Sequence, residues 1–114
     1  MSSTYTLVAS PLFKLSQQRL AAFLTEKYSA TLADNTLTNI KQRLRQDLAA
    51  QPGLAPISER LLAIGIAEYR QWQVDKHNMV LYRIDEQKQR IELLLLMDSR
   101  QNIQKLLFEL NLLF

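Results

Sequence analysis

The stretch YRQWQVDKHNMVLYRIDEQKQRIELLLLMDSRQN, residues 69–102, decides how this chain folds. Two polar runs interrupt it, Asp75-Lys76-His77 and Glu86-Gln87-Lys88-Gln89. They separate β-prone segments at about 67–74, 78–85 and 90–97. Connections this short join antiparallel neighbours, so the spacing predicts two successive hairpins. In the third segment Ile91, Leu93, Leu95 and Met97 are expected to point one way, and Glu92, Leu94 and Leu96 the other. A strand apolar on both sides after its first residues belongs in the middle of a sheet. The same stretch holds arginines, lysines, Trp72 and the only histidine, His77. The functional question is whether these polar groups assemble a reactive site or only decorate a sheet.

Working outward, Asp98 opens a D-x-x-Q pattern with Gln101, a reciprocal cap for a final helix at about 99–112. Ile103, Leu106, Leu107, Leu110 and Leu113 lie on one face of that helix. Phe108 and Leu112 fall off it, which suggests a second apolar contact. Upstream, Tyr5-Thr6-Leu7-Val8-Ala9 alternates as a short strand, and Ser10-Pro11 starts a helix running to about residue 28. Its stripe is Phe13, Leu20, Phe23, Leu24 and Tyr28. A turn is expected at 29–35, then a second helix carrying Leu37, Ile40, Leu44 and Leu48 on one face. Lys41, Arg43 and Arg45 lie mostly off that face, as a solvated surface or a basic patch. Ser58 to Leu62 reads as a short helical turn before Gly65.

The chain has 114 residues, enough for one domain with a real core. It has no cysteine, so disulfide, thiolate and zinc–sulfur chemistry are excluded. No leader and no apolar run of membrane-spanning length is evident, so a cytoplasmic location with no membrane association is expected. A net charge of +3 with interspersed acids does not by itself argue for nucleic-acid binding. No glycine-rich phosphate loop or nucleophile turn is present. One histidine and no cysteine make a metal cluster improbable, and no cofactor is expected. His77, in a hairpin connection, is either a solvated turn residue or a proton carrier. Arg70, Lys76, Arg83 and Arg100, with Trp72 and Tyr82 near them, form the remaining basic and aromatic set. Either they bind phosphates and bases or their stems cover the sheet edge.

The order strand, two helices, a loop ending in Leu61-Leu62-Ala63-Ile64-Gly65, three strands and a helix resembles the RelE/ParE toxin superfamily. Tyr69-Arg70, Met79-Val80-Leu81-Tyr82-Arg83-Ile84-Asp85 and the block from Ile91 through Asp98-Ser99-Arg100-Gln101-Asn102-Ile103 carry the resemblance. It implies an α+β fold, β-α-α-β-β-β-α, with two N-terminal helices and a C-terminal helix packed on an antiparallel sheet. It also implies the toxin of a type II toxin–antitoxin, or plasmid stabilisation, pair. RelE-like members cut mRNA on the ribosome; ParE-like members poison DNA gyrase. RelE-like nucleases carry an arginine three residues before a strand tyrosine; with Tyr82 as that tyrosine, Met79 stands there. Their tyrosine in the last helix is replaced by Leu106, Leu107 or Phe108, and the histidine of H-x-R by Asp98. Only Arg100 matches. A methionine neither neutralises a phosphate nor donates a proton.

The ParE-like branch is therefore expected: a gyrase inhibitor acting by contact through Arg70, Trp72, Arg83 and Arg100, without its own catalysis. The alternative is a ribosome-dependent nuclease using Arg100 and Lys76 on the phosphate, with Tyr82 or His77 carrying a proton. A third reading is a non-toxic relative that only binds an antitoxin. A cognate antitoxin is expected in each case, docking on Phe23, Phe108 and Leu112. Homodimers and toxin–antitoxin hetero-oligomers both remain open.

Overall fold

The computed structural model describes residues 4–101 and 103–109. The chain begins with β1 (Thr6–Ala9) and turns at once into α1 (Pro11–Lys27). Ser10 makes that turn: its hydroxyl accepts the Phe13 N–H at 3.0 Å, and Pro11 has no N–H to lose. The expected loop at 29–35 is absent. Ser29 accepts the Leu32 N–H at 3.1 Å and starts α2 (Ala30–Arg43) directly. Buried Ala33, Ile40 and Leu44 continue one stripe through the polar residues that suggested a turn. The helix then widens to a π-helical turn over Leu44–Leu48, where the Ala49 N–H reaches the Leu44 carbonyl at 3.0 Å. Lys41 and Arg45 are exposed, as a solvated face requires.

A 3₁₀ turn (Pro52–Leu54) and α3 (Glu59–Ala63) lead to the sheet. Gly65, at φ +85°, ends α3. The Ile66 N–H returns to Leu61 O at 2.8 Å and the Gly65 N–H to Leu62 O at 3.0 Å, the paired closure that a left-handed residue allows. β2 (Arg70–Gln73), β3 (Asn78–Asp85) and β4 (Arg90–Asp98) follow, and α4 (Ile103–Glu109) closes the described chain. β2 is shorter than expected; β3 matches its predicted span.

The strand order is β1-β4-β3-β2. The two hairpin pairings are antiparallel, as their short connections demand. β1, separated from β4 by the helices, adds beside it in parallel, so the sheet is mixed at this edge. β4 is central, and both sheet faces are covered. On one face α1 and α2 bury Phe13, Leu20, Leu24 and Ile40 against Trp72, Val80, Tyr82, Ile91, Leu93 and Leu96. On the other, Leu61 of α3 and Leu106 of α4 pack on Met79, Leu81, Leu95 and Met97.

These memberships correct the expected alternation in β4. The register slips between Leu81 and Tyr82: Leu81 faces Leu95 but Tyr82 faces Leu93. Leu94 is the extra residue of a bulge. Ile91 and Leu93 therefore join the α1–α2 face, while Leu95 and Met97 join the opposite one. Beyond the end of β1, the buried Ser16 hydroxyl accepts the Leu96 N–H at 2.9 Å and donates to Phe13 O at 2.7 Å. No helix among the described residues is long and apolar enough to cross a membrane.

Candidate functional site

The slip in β4 has a polar outcome. It brings Asp98, paired with Asn78 across the strands, to the same face as Leu96, under the helices. Asp98 is 0% exposed, yet its carboxyl is a charge partner. It accepts the Arg100 main-chain N–H at 2.8 Å, Arg100 Nε at 2.7 Å and Arg100 Nη2 at 2.5 Å. Gln101 Oε1 accepts the Asp98 N–H at 2.8 Å, so half of the expected reciprocal contact forms, but it closes a turn: α4 begins at Ile103, not near residue 99. The other half is replaced by the grip on Arg100. Burial raises the Asp98 carboxyl, but the Arg100 hydrogen bonds and charge, with a contribution from His77, outweigh it, and its pKa is lowered. Arg100 is correspondingly raised, chiefly by its hydrogen bond to Asp98.

The guanidinium so fixed lies against Tyr28, the C-cap of α1. Arg100 Nη1 donates to the Tyr28 hydroxyl, and its central carbon sits 5.2 Å from the ring centroid. Tyr28 is 47% exposed, so it offers a ring to solvent instead of filling the core.

The β2–β3 turn faces this pair. Asp75 holds it: one carboxylate oxygen accepts the His77 and Asn78 N–H groups, each at 2.9 Å, and both oxygens accept from Asn78 Nδ2. The His77 carbonyl accepts the Ser99 N–H at 2.6 Å, tying the turn to the segment after β4. Lys76 is exposed and His77 half-buried. Leu24, Tyr28, Leu32, Lys76, His77 and Arg100 are among the residues that line a cleft of about 410 Å³ here. A second cleft of about 490 Å³ lies between α1 and α4, lined by Arg19, Phe23, Glu26, Lys105 and, again, Arg100.

Three of the residues singled out from the sequence thus meet in one place: Lys76, His77 and Arg100. The others do not. Tyr82 is 0% exposed, and its hydroxyl donates to Pro52 O at 2.5 Å. Burial raises its pKa, opposed by the Arg70 charge. Its expected role as a proton carrier is corrected, because substrate has no access to it. Arg70 spans to Ala55 O at 2.6 Å. Trp72 is 6% exposed and lies under Arg43, 5.5 Å from its ring centroid. Arg83, on the opposite face, donates Nε to Glu92 at 2.9 Å, with Glu68 at 4.0 Å. Phe23 is half-buried, with Lys27 Nζ 5.5 Å from its ring. Phe108 is 63% exposed. Leu112 lies outside the described residues.

Tyr28 and Asp98 are the site residues that sequence reasoning missed. Tyr28 was readable as a helix end from the Ser29 cap that follows it. From the sequence Asp98 reads as a cap and as the replacement of the H-x-R histidine, not as a clamp on Arg100, because the bulge that aims it has no glycine or proline to mark it. Among the described residues no group of three or more His, Asp or Glu side chains is placed to hold a metal ion.

No protein-family model matches the sequence, and no curated protein matches it. Among solved structures, the fold is similar to a chain of the toxin–antitoxin complex RelBE2 from Mycobacterium tuberculosis, with a TM-score of 0.64. The likeness covers 89% of this chain and 98% of that one, at 16% sequence identity. The α+β fold read from the sequence is therefore that of a solved neighbour.

Proposed function

We propose that this chain is the toxin component of a type II toxin–antitoxin pair, and that it acts by gripping a target, DNA gyrase in the ParE-like manner, without chemistry of its own. Its place of action is the cytoplasm. The observation that carries the binding mode is the engagement of its arginines. Arg70 is held by a backbone carbonyl, Arg83 by Glu92 and Arg100 by buried Asp98. Cations fixed this way, Arg70 and Arg100 on the helix side of the sheet and Arg83 on the other, are rigid, partly neutralised contacts of a kind suited to protein recognition. The fold neighbour, a toxin–antitoxin complex, supports a cognate antitoxin as the first partner. Phe108, exposed on α4, and Phe23, at the α1–α4 cleft, are its proposed docking residues. Induced expression should arrest growth and co-expression of the adjacent small reading frame should relieve it. With purified gyrase, the protein should block supercoiling and trap cleaved DNA. Undisturbed supercoiling at high excess would refute the gyrase target.

A second reading rests on the convergence of Lys76, His77 and Arg100 in one cleft. Here the chain is a ribosome-dependent mRNA endonuclease, with Arg100 and Lys76 on the phosphate and His77, not Tyr82, moving the proton. Codon-placed cuts in translating extract that vanish in Arg100→Ala would favour it.

A further inference from the structure

Neither reading accounts for the polar edge of Trp72. This β2 residue is 6% exposed, and Arg43, at the end of α2, lies over its ring. A tryptophan so enclosed ordinarily has its indole N–H paired. Among the described residues no acceptor meets this one. Nor is the nitrogen sealed away: the enclosed side-chain polar atoms without partners are Asn78 Oδ1 and Arg90 Nε. The N–H therefore reaches the surface, where Trp72 lines a cleft of about 380 Å³. That cleft shares no lining residue with the two that meet at Arg100.

We propose that this cleft is a docking site for the carboxamide side chain of an asparagine or glutamine on a partner protein, taken between the Trp72 N–H and the Asp47 carboxylate.

Both walls are built without a ligand. One is the π-helical turn Leu44–Leu48, which carries Gln46 and Asp47; turns of this kind recur at functional sites. Arg43 braces it, donating Nε to Asp47 Oδ2 at 3.0 Å and Nη1 to the Val74 carbonyl. The other wall carries Gln51 and Leu54. It is pinned on either side of Leu54, where the Tyr82 hydroxyl bonds Pro52 O and Arg70 bonds Ala55 O.

Charge selects the ligand. Arg43 and Asp47 are the only ionised side chains lining the cleft, and they pair with each other, so it carries no net charge. Asp47 Oδ1 has no partner among the described residues. A carboxylate ligand would set like charge against that oxygen. A carboxamide instead offers its oxygen to the Trp72 N–H and its own N–H to Asp47. Leu54, 37% exposed, suits the aliphatic stem, and the exposed amides of Gln46 and Gln51 can bond the peptide groups beside it. A nucleotide fits less well. Arg43 already covers the Trp72 ring against which a base would stack, and this one cation is committed to Asp47 and Val74.

The test uses the ¹⁵N-labelled full chain, whose single tryptophan gives one indole N–H resonance. N-acetylglutamine N-methylamide should move that resonance to saturation, and its glutamate counterpart at neutral pH should bind more weakly. Asp47→Asn, which removes the like charge, should reverse this preference; a purely structural role for Asp47 would not. Gln51→Ala, at an exposed position, should lower affinity by a factor of about three, the size of one neutral hydrogen bond, with circular dichroism unchanged. Four results overturn the proposal. They are an indole resonance indifferent to the glutamine probe, equal binding of the glutamate probe, no change of preference in folded Asp47→Asn, or stronger binding of uridine. The last would make the cleft a nucleobase site. Because the probes are small and neither gyrase nor ribosome is present, failure here leaves the supercoiling result standing, and the converse holds.

Discussion

Asp98, fully buried at the end of β4, holds the side chain of Arg100 through bonds of 2.7 and 2.5 Å, and Arg100 in turn bonds the Tyr28 hydroxyl. The pair joins the sheet to the end of α1, so its ionisation is coupled to folding. The folded carboxyl has a lowered pKa, so its stabilisation is present above the ordinary aspartate value of about 4 and is lost as pH falls through the folded value. The urea midpoint should therefore drop steeply below about pH 4. Asp98→Asn should lower the midpoint at neutral pH and flatten that drop. Glu92, lowered by Arg83, accounts for part of what remains.

Ser16 is the acceptor for the Leu96 N–H where β1 no longer reaches β4. Ser16→Ala leaves that buried donor without a partner. The cost should be about 1–3 kcal/mol, measured by equilibrium urea unfolding. Ser16→Thr, which keeps the hydroxyl, should lose less if the added methyl is accommodated.

Tyr82→Phe removes one hydrogen bond, to Pro52 O. It should reduce stability by about 1 kcal/mol and leave growth arrest intact. Arrest abolished in a folded Tyr82→Phe protein would show that the hydroxyl takes part in chemistry.

Two left-handed positions respond in opposite directions. Gly65 sits at φ +85° with open space where a Cβ would go, so Gly65→Ala strains only the backbone and should cost about 1 kcal/mol. Gln89, in the β3–β4 connection, holds φ +49° with a side chain. Gln89→Gly should raise stability by about 0.5 kcal/mol, the relieved strain partly offset by glycine's extra freedom when unfolded. Thermal melts of the two variants should move apart.

Much of this fold is legible because its signals are local. Ser10-Pro11 and the polar run Glu86–Gln89 mark their boundaries by chemistry that acts over a few residues. The start of α2 was also marked, by Ser29, but its polar first turns masked a helix whose apolar stripe begins only at Ala33. Face assignment in β4 was not legible. Every residue from Leu93 to Met97 is apolar, so alternation carries no information there, and the partner strand sets the register. The site inherits that blindness. Lys76, His77 and Arg100 were singled out by residue type, but their meeting with Tyr28 depends on which way Asp98 turns.

Leu94 thus works as a phase setter. Deleting it should restore simple alternation to β4 while leaving Leu93, Leu96 and the carboxylate that follows Met97 on the faces they now occupy, beside the tyrosine. Relatives aligned by residue count alone will be misread by one position past this point.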